Sequence, residues 1–508
     1  MGACSPHLYS FSVMRRFRAP LGSPLFRQIP SYPFMHVSEQ NPAFAIIDQH
    51  AARAHEASAA WAHSSPTVRS GVLHALADAL DARADELAVM ADEETGLGIP
   101  RLTGEIARTS FQLRGFADEV VAGVPYVQVD DEAISGPPPS GRPRLTRVMV
   151  PIGPVAVFAA SNFPFAFSVL GGDTASALAA GCPVIVKPHG GHPRLSIEVA
   201  KIAAEVLRAQ GVGEGVFSML DCDMSRDANI YLVKHPMIAG VAFTGSYQGG
   251  VVLWRAANER EMPIPFFGEL GSINPVVVLP AALHDDPVAP AKVLAASMLQ
   301  GCGQFCTSPG VIVVVDDQRG REFVSALGDS LAGQATHRML SEGIRNGFED
   351  AAARIKANAS IEVVQEGNEV GAGPAPRLFR TTSAAFIADA GLHEEMFGPA
   401  AVVVTVPSVD AIPDVLSAVK GSLTVTIWGA GQDNRENREI VRVAQNIGGR
   451  VLFSGVPTGV AVTRAQQHGG PWPASTDPKT TSVGYAALQR FLRPVALQDA
   501  PEWLLQRA

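Results

Sequence analysis

Cysteine is scarce in this chain. There are five in 508 residues, an odd number spread over a long sequence. That excludes a disulfide framework and points to a reducing compartment, with the cytoplasm as the expectation. Basic residues are in deficit, 40 Lys and Arg against 49 Asp and Glu, for a net charge of −9. A nucleic-acid binder would carry a basic excess, so that class of partner is not expected. A membrane span is also missing. The stretch from Val148 to Gly172 has no charged side chain. However, Pro151, Gly153, Pro154, Asn162 and Pro164 interrupt it. It reads as a buried strand and a loop, and no membrane partner is expected. No G-x-G-x-x-G fingerprint follows the strands, which weakens an ordinary Rossmann reading. His189-x-x-His192 lacks the glutamate and third ligand of a zinc site, so no metal is expected.

What is present is ordinary globular material, 47% hydrophobic and 18% charged. The length suggests several structural units. Residues 1–38 have no Asp or Glu but contain Arg15, Arg16, Arg18 and Arg27. Two readings stand for them. One is an organellar transit peptide. The preferred one is a disordered extension of no function, or a start placed upstream of Met14 or Met35. Residues 43–123 have helical spacing, with Leu73, Leu76, Leu80 and Leu87 on one face. Residues 135–143 are a breaker-rich linker. Beyond it, short apolar strands alternate with helices. Strands are expected at Pro154–Ala160, Val184–Lys187, Val216–Leu220 and Val241–Phe243, and helices at Asp173–Ala180 and Leu195–Gln210. A second series runs through Pro275–Leu279, a helix near Ala291–Gln300, Val311–Val315, Ala401–Val406, Thr424–Trp428 and Val451–Phe453. This alternation implies two α/β units with mostly parallel sheets, joined near residue 270.

Five positions carry chemistry. Cys306, in Gly-Gln-Phe-Cys-Thr, sits on a turn between a helix and a strand. It is a nucleophile if donors lower its pKa, or else an inert buried thiol. Cys302, four residues earlier, is its competitor. Glu269 lies in an apolar stretch, where desolvation should raise its pKa and suit it to act as a general base. The alternative is a structural carboxylate. Asn162 follows a strand, and its amide can donate to an oxyanion or to its own turn. Lys187, before Pro188, ends a strand, where ligands of open α/β sheets bind. Gly245-Ser246 leads into a helix N-terminus suited to phosphate, or is a plain turn.

Taken in order, these pieces resemble the aldehyde dehydrogenase superfamily from about residue 40 to 505. The resemblance rests on Pro151-Ile152-Gly153-Pro154, Asn162-Phe163-Pro164, Val186-Lys187-Pro188 and Phe243-Thr244-Gly245-Ser246. It continues through Glu269-Leu270-Gly271, Gly303-Gln304-Phe305-Cys306 and Glu395-Met396-Phe397-Gly398-Pro399. Gly268 to Pro275, Pro457-Thr458-Gly459-Val460 and His468 to Asp477 narrow it to one branch. That branch holds the α-ketoglutaric semialdehyde dehydrogenases and the NADP-dependent fatty aldehyde dehydrogenases.

The resemblance implies an α/β fold of two parallel-sheet domains plus a small bridging β element for oligomerisation. Residues 39–124 and 150–270 would bind cofactor and 271–455 would be catalytic. Residues 125–149 and 484–508 would bridge subunits, and 456–483 would line the substrate channel. A homodimer or homotetramer is implied. Cys306 would attack the aldehyde, Asn162 would hold the oxyanion and Glu269 would activate water on the thioester. Lys187, Pro188, His189, Arg194, Gly245, Ser246, Leu270, Glu395 and Phe397 would contact cofactor. NADP is expected over NAD, because Gly190 stands where NAD-using relatives often have a glutamate and because His189, His192 and Arg194 lie nearby. Phe163, Phe167, Arg464 and Trp472 would meet substrate. The expected reaction is oxidation of α-ketoglutaric semialdehyde to α-ketoglutarate. Fatty aldehyde oxidation, acyl transfer to coenzyme A and an inactive binding homologue are the alternatives. Arg142, Arg144 and Arg464 are the candidates to hold a substrate carboxylate.

Overall fold

Hydrophobic runs of four or five residues between helices form the centre of each sheet. In the computed structural model, which describes residues 41–505, β3 (Val155–Phe158), β4 (Val184–Lys187), β5 (Phe217–Met219), β6 (Gly240–Thr244) and β7 (Phe266–Glu269) form one sheet. Its order is β5-β4-β3-β6-β7 and every pairing is parallel. Strands buried on both faces read as continuous apolar runs, as Val184-Ile185-Val186 does. The expectations attached to residues 1–38 lie outside the described residues. Contacts divide the chain into residues 1–42 and 43–508, and the elements named here belong to the second unit.

Helices α1 (Pro42–Ala62), α2 (Pro66–Ala82), α3 (Ala84–Thr95) and α4 (Ile99–Val121) open the chain. Ser65 caps α2, and Pro66 sits where its missing N–H costs nothing. Gly96 in the left-handed region ends α3. The expected stripe of Leu73, Leu76, Leu80 and Leu87 is buried, facing Leu102, Ile106, Leu113 and Phe116 of α4. Helices α5 (Gly172–Ala180), α6 (Pro193–Ala209), α7 (Arg226–Lys234) and α8 (Tyr247–Asn258) connect the strands of the first sheet.

The second sheet has seven strands: β8 (Val276–Val278), β9 (Val311–Val315), β10 (Glu362–Glu366), β11 (Arg377–Thr382), β12 (Ala400–Val406), β13 (Ser422–Trp428) and β14 (Gly448–Leu452). Only the edge strand β10 runs antiparallel to its neighbour. β10 and β11 are polar enough to escape a reading by apolar runs. β14 begins at Gly448 rather than Val451, and Phe453 lies outside it, exposed. A third sheet joins β1 (Val129–Asp131), β2 (Leu145–Pro151) and β15 (Leu492–Gln498), all antiparallel. The 135–143 linker falls between β1 and β2.

The order of the first sheet reverses at β3: β4 and β5 lie on one side, β6 and β7 on the other. The crevice beyond the carboxyl ends of β3 and β6 is where such sheets bind ligands. Asn162, Lys187, Thr244 and Glu269 lie at or just past the carboxyl ends of β3, β4, β6 and β7 respectively.

One buried ion pair ties the C-terminal segment to this sheet. Arg490 Nη2 lies 2.6 Å from Asp173 Oδ1, and the two side chains are 2% and 10% exposed. The guanidinium also stands over the Phe267 and Phe491 rings. Removing one partner strands a buried charge, at a cost of about 3–5 kcal/mol. Asp173→Ala is therefore expected to lower the denaturant midpoint strongly, while Asp173→Leu with Arg490→Met recovers most of the loss. Equal midpoints for Asp173→Ala and the parent would refute this role.

Candidate active site

The loop bearing Cys306 is shaped by backbone that few side chains tolerate. Gly301, Cys302 and Gly303 stand consecutively in the left-handed region, with φ of 58°, 57° and 67°. A Cβ on Gly303 would meet the Gly398 carbonyl at 2.2 Å, so the Glu395–Pro399 motif packs directly on this turn. Asn274 fastens the far side. Its buried amide donates to the Cys306 carbonyl at 2.8 Å and the Ser308 carbonyl at 2.9 Å. Its oxygen accepts from Ser272 Oγ at 2.7 Å and Thr424 N at 3.2 Å. The Gly-Ser-Ile-Asn-Pro sequence after Glu269-Leu270 thus acts as a clamp on the Cys306 loop.

The structure brings Cys306, Glu269 and a third residue, His468, together. Cys306 Sγ is 3.5 Å from His468 Nε2, which is 3.1 Å from Glu269 Oε1. The Ser482 hydroxyl donates to Glu269 Oε2. His468 and Ser482 come from the 456–483 segment, which crosses the end of β7 through Leu270 N to Ala474 O (2.8 Å) and Thr476 N to Gly268 O (3.0 Å). Glu269 is 3% exposed. Burial pushes its carboxyl upward, but the His468 ring, the Ser482 hydroxyl and the Cys306 thiol outweigh burial and hold it below the usual range. This corrects the expectation of a raised pKa. The Cys306 thiol lacks the donors that a lowered pKa would need. Burial, and then the neighbouring Glu269 carboxylate, push Cys306 well above an ordinary thiol. Cys302 is fully buried, and burial raises it to about 11.

Asn162 lies on the same loop system. Its Nδ2 donates to the Gln304 carbonyl at 3.1 Å, two residues before Cys306. One amide N–H remains for another acceptor. Arg101 Nη2 holds the Asn162 carbonyl at 2.6 Å.

A cavity of about 210 Å³ opens on Cys306 and His468. Phe163, Phe167 and Phe305 form its aromatic wall, with Val460 opposite and Arg101, Glu105 and Arg108 from α4 completing it. Phe163 packs edge-on against both other rings at 5.2 Å. Arg101 Nη1 and Arg108 Nε and Nη2 are buried with no hydrogen-bond partner. Glu105 supplies one carboxylate nearby. Its Oε1 accepts from the Phe165 and Ala166 amides at 2.8 and 3.0 Å, and its Oε2 is buried without a partner. Of the residues expected to meet substrate, Phe163 and Phe167 line this cavity and two others do not. Arg464 faces Glu119 at 2.6 Å with its side chain 68% exposed. Trp472 packs on Tyr247 and Trp254 of α8. Arg142 and Arg144 lie just before β2 of the third sheet and face Asp131 and Asp130. The arginines were misplaced because α4 is remote in sequence from every motif, and only packing brings it here.

The cofactor expectations divide similarly. Lys187 is half-buried at the end of β4, and burial lowers its pKa. Ser246 caps α8 by accepting from Gly249 N at 3.3 Å, with Gly245 before it. Leu270 is buried where a Cβ on Gly250 would strike it at 2.2 Å. Glu395 lies over Gly271, where a Cβ would sit 2.4 Å from Oε2, and burial raises it to about 7. Phe397 is half-buried two residues on. The Thr244 hydroxyl is buried without a partner at the end of β6.

Around Lys187 the expected cations are spent. His189, next to Pro188, accepts from Gly191 N at 3.0 Å, and burial lowers it to about 4, leaving it neutral. His192 is fully buried against Ser196 and the Ala160 carbonyl. Arg194 pairs with Glu93 at 2.9 Å. Gly190 does not leave the place free of carboxylates, either. Asp223 Oδ1, from the loop after β5, lies 4.0 Å from where a Cβ at 190 would be. The premise behind NADP preference is corrected accordingly.

Residues 33–469 match the aldehyde dehydrogenase family. The chain is 38% identical to "Alpha-ketoglutaric semialdehyde dehydrogenase 2" of Azospirillum brasilense, covering 98% of this chain and 93% of that protein. It is 37% identical to "Alpha-ketoglutaric semialdehyde dehydrogenase" of Acinetobacter baylyi, over 90% and 87% respectively. Among solved structures, aldehyde dehydrogenase 21 of Physcomitrella patens superposes with a TM-score of 0.74 at 21% identity, over 89% of this chain and 90% of that one. The chain belongs to the aldehyde dehydrogenase family, enzymes that oxidise aldehydes with NAD or NADP.

The resting thiol gives a direct test. Glu269→Gln removes the charge that opposes thiolate formation, so iodoacetamide should label Cys306 of the cofactor-free enzyme faster at pH 8 than in the parent. Labelling of the parent should keep rising with pH past 9. Peptide mapping should find Cys302 unlabelled. A slower reaction in Glu269→Gln refutes the electrostatic account.

Proposed function

We propose that the protein oxidises α-ketoglutaric semialdehyde to α-ketoglutarate. One observation carries the substrate class: two guanidiniums with three unpartnered nitrogens line the cavity that opens on Cys306. Buried charges without partners are costly, and a carboxylate is the group that arginine binds in two places at once. A short aldehyde acid fits this reading. An aliphatic chain in the same cavity would leave those three nitrogens without a partner. The two relatives near 38% identity support the same substrate.

The proposed chemistry uses the cluster at Cys306. Glu269, helped by His468, takes the thiol proton as Sγ bonds to the aldehyde carbon. The resulting oxyanion sits against the Asn162 amide and the Cys306 N–H. The nicotinamide supplies the hydride acceptor that turns this adduct into a thioester. Once the thiol proton has passed to solvent, Glu269 takes a proton from water as it attacks the thioester, and the acid leaves as the sulfur regains a proton. The donors that suit a dinucleotide are Lys187, the unpartnered Thr244 hydroxyl, the α8 N-terminus and Glu395 with Phe397. We assign the sheet of 150–270, with 39–124, to cofactor binding and 271–455 to catalysis. Segment 456–483 closes the channel, and the β1-β2-β15 sheet forms a subunit contact in a dimer or tetramer. Four described cysteines are free, as in a reducing cytoplasm, and no described helix is long and apolar enough to cross a membrane.

For the cofactor, Asp223 beside Lys187 favours a ribose hydroxyl over a 2′-phosphate, so NAD is the preferred partner and NADP the weaker one. Dissociation constants for the two cofactors should differ by tenfold or more in favour of NAD, and Asp223→Ser should narrow that ratio. Tighter NADP binding in the parent would restore the reading from Gly190.

The substrate reading is tested with Arg108→Leu. A charged hydrogen bond contributes about 1.5–3 kcal/mol, so kcat/KM for α-ketoglutaric semialdehyde should fall roughly 10- to 150-fold. The value for propanal should change less than threefold. A parent enzyme that prefers a medium-chain aldehyde by more than about tenfold would overturn the assignment. Glu269→Gln should still release one burst of reduced cofactor per site, more slowly than the parent because the thiol then loses its proton to His468 or solvent, and then stall.

A further inference from the structure

We propose that Cys306, His468 and Glu269 also form a binding site for a soft divalent cation of the zinc class, and that occupancy switches the enzyme off. The three donors differ in kind and come from three separate segments. All three ligand atoms lie within 4.8 Å of one another. The two hydrogen-bonded edges are 3.5 Å from sulfur to nitrogen and 3.1 Å from nitrogen to oxygen. Zinc bonds of about 2.3 Å to sulfur and 2.0–2.2 Å to nitrogen and oxygen place tetrahedral ligand edges at roughly 3.4–3.6 Å. On those two edges the donors stand within a few tenths of an ångström of the tetrahedral values, and the third, from sulfur to carboxylate, is within 4.8 Å.

The charge balance is favourable. On binding, the Cys306 S–H bond breaks, a metal–sulfur bond forms and the proton leaves to solvent. Thiolate and carboxylate then neutralise a 2+ ion, and their mutual repulsion is replaced by attraction to the metal. The Ser482 hydroxyl holds Glu269 Oε2 and leaves Oε1 as the ligand. Cys306 and His468 face the cavity, so the fourth position is open to water. Thiolate and imidazole are poor ligands for Mg²⁺ or Ca²⁺, which should not compete. His468 Nδ1 is buried with no partner to hold the ring. Missing outer support costs a site 10- to 100-fold in affinity, which favours reversible occupancy over permanent binding.

The test is titration of the full-length, cofactor-free enzyme with Co²⁺. We expect an intense thiolate-to-cobalt band in the near ultraviolet with tetrahedral visible bands. Stoichiometric Zn²⁺ should displace both signals. The near-ultraviolet band should vanish in Cys306→Ala. Affinity should fall at least tenfold in both His468→Gln and Glu269→Gln, each checked for folding by circular dichroism. Zinc should abolish aldehyde oxidation in the parent and chelator should restore it, with Mg²⁺ inert. Absence of the thiolate band, or affinity within threefold of the parent in both folded variants, overturns the proposal. Because the readout needs neither aldehyde nor nucleotide, the metal site and the dehydrogenase reading fail independently.

Discussion

Glu269 keeps its charge in a place that water barely reaches, and the arrangement of the site follows from that. A carboxylate so buried would take up a proton unless donors surround it. Here the donors come from the 456–483 segment, which supplies His468 and Ser482. To deliver them, the segment must run across the end of β7, and its backbone pairs with Gly268 and Leu270 do this. The charge so retained then sets the state of its neighbour. With a carboxylate alongside, Cys306 rests as a thiol and not as a thiolate. Such a nucleophile is quiet until a base removes its proton, and the same carboxylate stands ready to be that base.

The cavity adds the opposite imbalance. α4 offers two guanidiniums and one carboxylate, and Glu105 is already held by two backbone amides. The aromatic wall supports this excess of positive charge, since Arg101 stands over Phe163 and Phe305 and Arg108 over Phe167. Cation–π contacts ease the burial of an arginine without satisfying its N–H groups. An anionic ligand completes the hydrogen bonding.

Much of this was legible in the sequence. The positions of β4 and β9 match the apolar runs residue for residue, because a strand buried on both faces has no polar positions to blur its ends. Cys306, Glu269 and Asn162 fall together as the order of motifs implied. Polar edge strands such as β10 were not legible, since their residues face water and carry no run. His468 was visible as part of a motif but not as a partner of Cys306. A histidine in a Gly- and Pro-rich stretch gives no sign of what its ring will touch.

The sequence by itself determined the class of chemistry and the sheets that hold it, because turn residues, apolar period and short motifs are local properties of a chain. Three decisions belonged to the tertiary structure alone. Packing chose Arg101 and Arg108 over Arg464 to line the cavity. It brought Asp223 against Gly190 from the neighbouring loop, replacing a carboxylate that the local sequence lacked. And it reversed the expected shift of Glu269 and pushed Cys306 up. The first two are matters of packing and the third is electrostatic, and both depend on distance and burial between groups far apart in the chain, which no spacing along it records.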